Sequence, residues 1–242
     1  MKKFIITTII ITLSFSVNAQ SWWNNKRIKG NGNVTTETRN TSNYNGVISS
    51  GSFDIKLIPG KEGNITLKGE SNLMEYIITE VKEGKLRIKV KKNTNLKFTK
   101  NFTITVPYNE INLVGLSGSG DITNSGIINA DEFKVSLSGS GDIDLNTEAT
   151  KIKTSIAGSG NIKLNGNSNT LTCSIAGSGN IKAFDLKTNS IAVSLSGSGN
   201  VKTTVSEKIK VRIAGSGSVY YKGNPKKIDS KSAGSGSVID RN

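Results

Sequence analysis

The amino-acid sequence predicts an all-β fold, a single-stranded parallel β-helix with coils of about 20 residues. Three observations carry this expectation. First, nearly the same seven residues recur seven times: LSGSGDI from Leu116 and Leu137, IAGSGNI from Ile156 and Ile175, LSGSGNV from Leu195, IAGSGSV from Ile213 and SAGSGSV from Ser232. The steps between copies are 21, 19, 19, 20, 18 and 19 residues. A fixed period of that size is the mark of a solenoid, in which each unit buries its apolar face only by stacking on a neighbour. Second, the residues ahead of each Gly-Ser-Gly alternate: Phe133/Val135/Leu137, Ile152/Thr154/Ile156, Leu171/Cys173/Ile175, Ile191/Val193/Leu195 and Ile209/Val211/Ile213 are separated by mostly polar residues. Period two with β-branched side chains is a half-buried strand, and nothing in the repeats is periodic at 3.6. Third, a second inward column follows the Gly-Ser-Gly, at Ile122, Ile143, Ile162, Ile181, Val201, Val219 and Val238.

Each unit therefore reads as strand, corner, strand and a variable turn such as 165–169 or 222–226. The corners are Gly118/Gly120, Gly139/Gly141, Gly158/Gly160, Gly177/Gly179, Gly197/Gly199, Gly215/Gly217 and Gly234/Gly236, residues that take dihedrals closed to other types. Coils stack about 4.8 Å apart, so seven make a core roughly 34 Å long. Two ladders should run along the corners. One is of hydroxyls, Ser119, Ser140, Ser159, Ser178, Ser198, Ser216 and Ser235. The other is of turn residues, Asp121, Asp142, Asn161, Asn180, Asn200, Ser218 and Ser237.

The recurring Leu/Ile-Ser/Ala-Gly-Ser-Gly-Asp/Asn-Ile/Val coils are preceded by Val47-Ile48-Ser49-Ser50-Gly51-Ser52-Phe53-Asp54-Ile55, Gly69-Glu70-Ser71-Asn72-Leu73 and Ile104-Thr105-Val106-Pro107. Over roughly residues 44 to 240 the chain resembles the GIN-domain family of auto-transporter adhesin heads, found mainly in Bacteroidetes. The resemblance implies a β-helical, exported protein of the cell envelope with an adhesive role, and it names no ligand.

At the start of the chain, Lys2 and Lys3, the apolar run from Phe4 to Val17 and Val17-Asn18-Ala19 form an export signal, residues 1–19, cut after Ala19. The apolar run is too short to span a membrane, and no lipoprotein cysteine follows it. The expected location is the periplasm, the outer surface or the medium. Residues 20–46, polar and opening with Trp22 and Trp23, read as a flexible leader. Residues 47–242 form one β-helical domain: degenerate coils and a cap over 47–111, with room for a few coils between Gly51 and Gly118, then the seven regular coils over 112–242. Glu83-Gly84-Lys85 sits where a hairpin turn joins Val81 to Leu86. At the far end Ser230 and Ser232 replace apolar residues, giving a polar last coil.

Composition narrows the chemistry. With no histidine there is no histidine-based triad or metal site, and the single Cys173 lies in an inward column as a small apolar residue. No cofactor is called for. Asp121 and Asp142 on adjacent coils resemble a glycosidase pair or a calcium coil, but Asn and Ser fill the same column, which points to turn chemistry. The expected function is that of a non-enzymatic, adhesin-like envelope protein binding a surface partner. The alternatives are a polysaccharide-cleaving enzyme and a purely structural envelope protein.

The formal net charge is +14, which favours anionic partners such as lipopolysaccharide, an acidic glycan or extracellular nucleic acid, without base-specific reading of nucleic acid. The competing reading is that lysines keep a strand-rich rod soluble. One local feature favours binding. Lys163, Lys182 and Lys202 share the position just after the second inward column, so their backbones lie about 5 Å apart, and a bound polyanion relieves their repulsion. These three lysines are the candidate binding residues.

Overall fold

The structure, a computed structural model, describes residues 26–242. The predicted export signal and Trp22 and Trp23 lie outside the described residues. In chain order the strands are β1 (Lys26–Lys29), β2 (Val34–Asn40), β3 (Gly46–Gly51), β4 (Asp54–Pro59), β5 (Asn64–Glu70), β6 (Ile77–Lys82), β7 (Lys85–Val90), β8 (Thr94–Lys97), β9 (Thr103–Tyr108) and β10 (Leu113–Gly118). They continue as β11 (Ile122–Asn124), β12 (Ile128–Gly139), β13 (Asp142–Gly158), β14 (Asn161–Gly177), β15 (Asn180–Gly197), β16 (Val201–Gly215), β17 (Val219–Lys222), β18 (Lys227–Ala233) and β19 (Val238–Asp240). One short 3-10 helix spans Ser71–Tyr76.

From β10 onward the chain is a parallel β-solenoid. The first inward column stacks in register as Phe133, Ile152, Leu171, Ile191 and Ile209, and the second as Ile143, Ile162, Ile181, Val201 and Val219. All ten side chains are buried. Burial of such a residue contributes about 1.5–3 kcal/mol, so the interdigitated columns are the main force holding coil on coil. Cys173 is fully buried between Thr154 and Val193. Burial pushes its thiol up to about 12, against a smaller downward pull from Thr154, which makes it a packing residue and not a nucleophile.

The two glycines of each corner are required for different reasons. The first ones, Gly118, Gly139, Gly158, Gly177, Gly197, Gly215 and Gly234, have φ between 122° and 138°, a region that side chains avoid. A Cβ there would lie 2.2–2.4 Å from the carbonyl oxygen of the equivalent glycine one coil earlier. That close approach is put to use: Gly139 O accepts the N–H of both Ser159 and Gly160, at 2.9 and 3.1 Å, and the pattern repeats along the rod.

The second glycines, Gly120, Gly141, Gly160, Gly179, Gly199, Gly217 and Gly236, depart from the sequence-based expectation. None of them has a positive φ, so the dihedral expected of both glycines belongs to the first alone. One such residue per corner is enough to turn the chain. The second is needed for want of space: all seven are buried, and a Cβ would lie 1.9–2.3 Å from a carbonyl oxygen one coil earlier. That oxygen belongs to Phe53 beneath Gly120, and to the preceding second glycine beneath each of the others.

Three further features differ from the expectation. The stretch 165–169 is no variable turn. Asn165, Gly166, Asn167 and Ser168 continue the ladder onto Asn146, Thr147, Glu148 and Ala149, so β14 runs unbroken for 17 residues. Gly166, at φ 120°, bends the strand without breaking it. The stretch 222–226 does leave the ladder: β17 ends at Lys222 and β18 begins at Lys227, with Pro225, which has no N–H to donate, between them.

Secondly, no coils lie between Gly51 and Gly118. β3 and β4 stack directly on β10 and β11, and the chain between them folds away to the far side, where β7 and β9 lie parallel to β3 and β4. Antiparallel pairings of β2 with β5, β5 with β9 and β6 with β7 close this end. The β6–β7 hairpin turns at Glu83 and Gly84, with φ 54° and 69°, as a two-residue loop of the favoured twist. Phe53, standing where later coils have glycine, turns its ring inward over Phe102, centroids 6.3 Å apart, and Phe102 meets Phe98 at 5.4 Å. These rings plug the end of the core.

Thirdly, residues 26–46, expected as a flexible leader, carry β1 and β2. β2 pairs with β5 over seven residues, and Arg39 ties it down by donating to Ile77 O and to Met74 O. Its alternation is polar on both faces, so no apolar period marks it. The binding energy comes from backbone hydrogen bonds. Glu70 at the end of β5 is fully buried. Its carboxylate accepts N–H bonds from Gly32, Thr99 and Lys100 and the hydroxyl of Thr99.

Candidate functional site

The corner column following the glycines is a hydrogen-bond ladder. Asp121 Oδ1 accepts the N–H of Asp142 at 3.0 Å, Asp142 Oδ1 that of Asn161 at 2.9 Å, Asn180 Oδ1 that of Asn200 at 3.1 Å and Asn200 Oδ1 that of Ser218 at 3.0 Å. Each side chain thus satisfies a backbone donor freed where the strand turns. Aspartate and asparagine are interchangeable there because the acceptor oxygen is what the corner requires. Asp121 and Asp142 are occupied in that ladder. In the neighbouring serine column a side-chain bond joins Ser119 to Ser52 at 3.0 Å.

The lysine column is in register: Lys163 stands beside Lys182, and Lys182 beside Lys202. Their backbone neighbours Ile162, Ile181 and Val201 point inward, so by strand alternation the lysines point out, and all three are exposed. Their electrostatic situations differ. Lys163 reaches Asp144, one coil earlier, with Nζ to Oδ2 at 3.1 Å. Lys182 and Lys202 enter no ion pair among the described residues.

Beyond them the column changes chemistry. Lys202 stands beside Tyr220 in β17. β15 carries extra residues against both neighbours, with register breaks between Lys163 and Gly166 and again between Ala183 and Lys187. Such a bulge re-aims side chains. Ala183 and Leu186 stay buried while Phe184 emerges half-buried onto the outer surface. Lys222 Nζ lies 5.0 Å and Lys202 Nζ 6.0 Å from the Phe184 ring centroid, and the Arg241 guanidinium carbon lies 5.1 Å from that of Tyr220. These are cation–π distances.

Together these groups line a cleft of about 670 Å³, with Asn180 and Asn200 of the corner ladder along one side and no carboxylate in its wall. It offers four cations, two aromatic faces and amide groups. Walls lined by one sign of charge focus its field, so the potential in the cleft is positive. Lys182 and Lys202 belong to it and Lys163 does not. Phe184, Tyr220, Lys222 and Arg241 were missed in the sequence. The available signal was a coil step of 20 residues followed by one of 18, which is how a bulge in one coil registers in a repeat.

A second concavity, of about 1020 Å³, runs along the bend opposite the corners. Asn129, Glu148, Asn167, Thr188 and Ser206 mark its course, and it contains no aromatic residue. Among the described residues no three histidine, cysteine or carboxylate groups cluster as a metal site, and no helix is long and apolar enough to cross a membrane.

In class the protein is a parallel β-solenoid with a cationic cleft on its outer wall. The chain belongs to the family described as "putative auto-transporter adhesin, head GIN domain", whose model matches residues 43–225. Similar solved structures share the fold. One, described as a putative adhesin from Bacteroides fragilis, has a TM-score of 0.82 and 23% identity, covering 88% of this chain and 100% of its own. A protein from Parabacteroides distasonis described as a putative lipid binding protein has a TM-score of 0.77 and 27% identity, covering 90% and 100%. A putative adhesin from Parabacteroides merdae has a TM-score of 0.69 and 22% identity, covering 90% and 100%. No curated protein matches the chain.

Proposed function

We propose that this protein is an exported, non-enzymatic, adhesin-like component of the cell envelope that binds an anionic glycan through the lysine column of its outer wall. The observation that carries the reading is the stacking of Lys182 on Lys202, unpaired by any carboxylate among the described residues, beside the aromatic face that the β15 bulge exposes. Two ammonium groups on neighbouring coils repel, and an acidic sugar relieves that repulsion while its C–H face lies on Phe184. Membership of an adhesin family supports a surface partner. The opening Lys2-Lys3, apolar run and Val17-Asn18-Ala19 support export.

The test is retention of the processed chain on an immobilised acidic polysaccharide as salt is raised. Replacing Lys163, Lys182 and Lys202 with serine is expected to lower the eluting salt, with Lys163→Ser alone contributing least because Asp144 already neutralises it. Unchanged elution of the triple variant contradicts the proposal. Release of reducing ends from a glycan panel, abolished by Asp121→Ala, would replace it with the enzyme reading.

A further inference from the structure

We infer that the cationic cleft takes a phosphate monoester as the charged group of its glycan, an inference that rests on the glycan reading above and names the acid. The four cations come from successive coils: Lys182 in β15, Lys202 in β16, Lys222 in β17 and Arg241 just after β19. They gather around one place. Lys182 stands in register beside Lys202, and Lys202 beside Tyr220. The Lys202 and Lys222 ammonium groups address the same ring, that of Phe184, and the Arg241 guanidinium lies over Tyr220. None of the four enters an ion pair among the described residues.

The residues around Arg241 hold it in place. Its N–H donates to Tyr221 O at 2.8 Å. The amide of Asn242 then bonds both backbone groups of Gly223, donating from Nδ2 to the carbonyl at 2.9 Å and accepting the N–H on Oδ1 at 2.8 Å. A guanidinium anchored at its backbone and laid on a ring has little freedom left to lose when a ligand arrives. The carboxylates that adjoin these residues in the sequence turn elsewhere. Asp240 stands beside Tyr221 and accepts its hydroxyl, and the exposed Asp185 forms no part of the wall. The Asn180 and Asn200 amides are engaged in the corner ladder, so the cations are the strongest donors the cleft has to offer.

Charge and size select the acid. A cleft of about 670 Å³ accommodates a ligand of about two sugar rings. Uronic carboxylates on such a segment carry a single charge each and lie a ring apart, whereas Lys202 and Lys222 are drawn to one ring of Phe184. A phosphate monoester puts about 1.5 to 2 negative charges and three acceptor oxygens on one group, which matches cations gathered around one place. A sulfate ester has the oxygens without the second charge. That second charge appears near pH 6. The charged and titratable groups around the site are its four cations, Lys163, Tyr220, Tyr221 and the outlying Asp185 and Asp240. The chain has no histidine, the side chain that ordinarily changes charge between about pH 5 and 8. A change of affinity between pH 5 and 7 therefore reports the ligand.

The processed chain is titrated calorimetrically with glucose 6-phosphate, glucose 6-sulfate and glucuronate at matched ionic strength. At neutral pH glucose 6-phosphate is expected to bind on the order of tenfold more tightly than either of the others, the worth of one further charge-assisted hydrogen bond. The advantage should shrink at about pH 5, where the ester keeps its second proton. Replacing Lys222 and Arg241 with serine leaves Lys163, Lys182 and Lys202 intact and should weaken glucose 6-phosphate on the order of a hundredfold, from two such bonds. Far-UV circular dichroism of the variant excludes unfolding as the cause. Equal affinity for glucose 6-phosphate and glucuronate, binding indifferent to pH, or an unaffected Lys222→Ser/Arg241→Ser variant would overturn the inference. If retention on acidic polysaccharide still depends on Lys182 and Lys202 in that case, the glycan reading stands without it; if that dependence is lost as well, both fall. Vesicles containing phosphatidate separate the sources of the ester: binding to them with none to glucose 6-phosphate would put the monoester on a lipid and overturn the assignment to a sugar.

Discussion

Replacing one corner glycine tests the physical basis of the stack. In Gly158→Ala the new Cβ falls 2.3 Å from the carbonyl oxygen of Gly139, and the backbone there stands at φ 135°. Holding a side-chain-bearing residue in that region costs about 1–3 kcal/mol. Relieving the overlap costs a further 1–3 kcal/mol or so, as for other overpacked sites. The obstructing atom is backbone and accepts the Ser159 and Gly160 N–H groups, so it cannot move away without breaking both bonds. The expected loss is about 4 kcal/mol, a large share of the 5–15 kcal/mol typical of a folded domain. In urea unfolding followed by far-UV circular dichroism the midpoint should fall sharply. The exposed Ser159→Ala at the same corner should stay within about 0.5 kcal/mol of the parent. A Gly158→Ala variant as stable as the Ser159→Ala control would refute the corner geometry.

Two other perturbations have defined signs. Burial works to raise the Glu70 pKa, but the Thr99 hydroxyl and the N–H groups of Thr99, Gly32 and Lys100 outweigh it and hold it at about 2 against an ordinary 4.5. Its contribution to stability is therefore complete above about pH 4.5 and is lost as pH falls toward 2. Glu70→Gln should be less stable at neutral pH and should flatten that part of the acid-unfolding curve; an unchanged acid limb would contradict the assignment. Thr203 is fully buried and its hydroxyl has no hydrogen-bond partner among the described residues, so Thr203→Val should leave stability unchanged or raise it by about 1 kcal/mol in thermal melts. A clear loss would show that the hydroxyl has a partner.

The regular coils were legible because the same inward positions recur near every nineteenth residue and nearly all hold Ile, Leu, Val or Phe. The Gly-Ser-Gly letters marked the corners, yet they could not say that Gly158 is kept by its dihedral and Gly160 by the coil beneath it, since both causes select the same residue. The bend opposite the corners was not legible, because its inward column runs Ala149, Ser168, Thr188, Val205, and mixed small polar residues mask an inward-facing period. Thr188 and Ser168 tolerate burial there by donating to carbonyls at Ser190 and Thr170. The N-terminal end was misread for a different reason. Chain order and spatial order part company when β5 to β9 fold to the far side of β3 and β4, and local patterning carries no information about which strand pairs with which. Half of the candidate site followed from the repeat columns. The rest depended on a bulge that turned Phe184 outward and on Tyr220, Lys222 and Arg241 coming to meet it, contacts between coils that differ in length.

The stacking itself is tested most directly by cross-linking. Ser155 and Ser174 are exposed register partners on successive coils, and Ser194 follows on the next. Adjacent coils put their Cα atoms about 5 Å apart, within disulfide reach, and alternate coils about 10 Å apart, beyond it. Mild oxidation of the folded variants should close a bond in Ser155→Cys/Ser174→Cys, read as the loss of two hydrogen atoms from the intact mass, and leave Ser155→Cys/Ser194→Cys reduced. Closure in the second pair, or in neither, would contradict the solenoid.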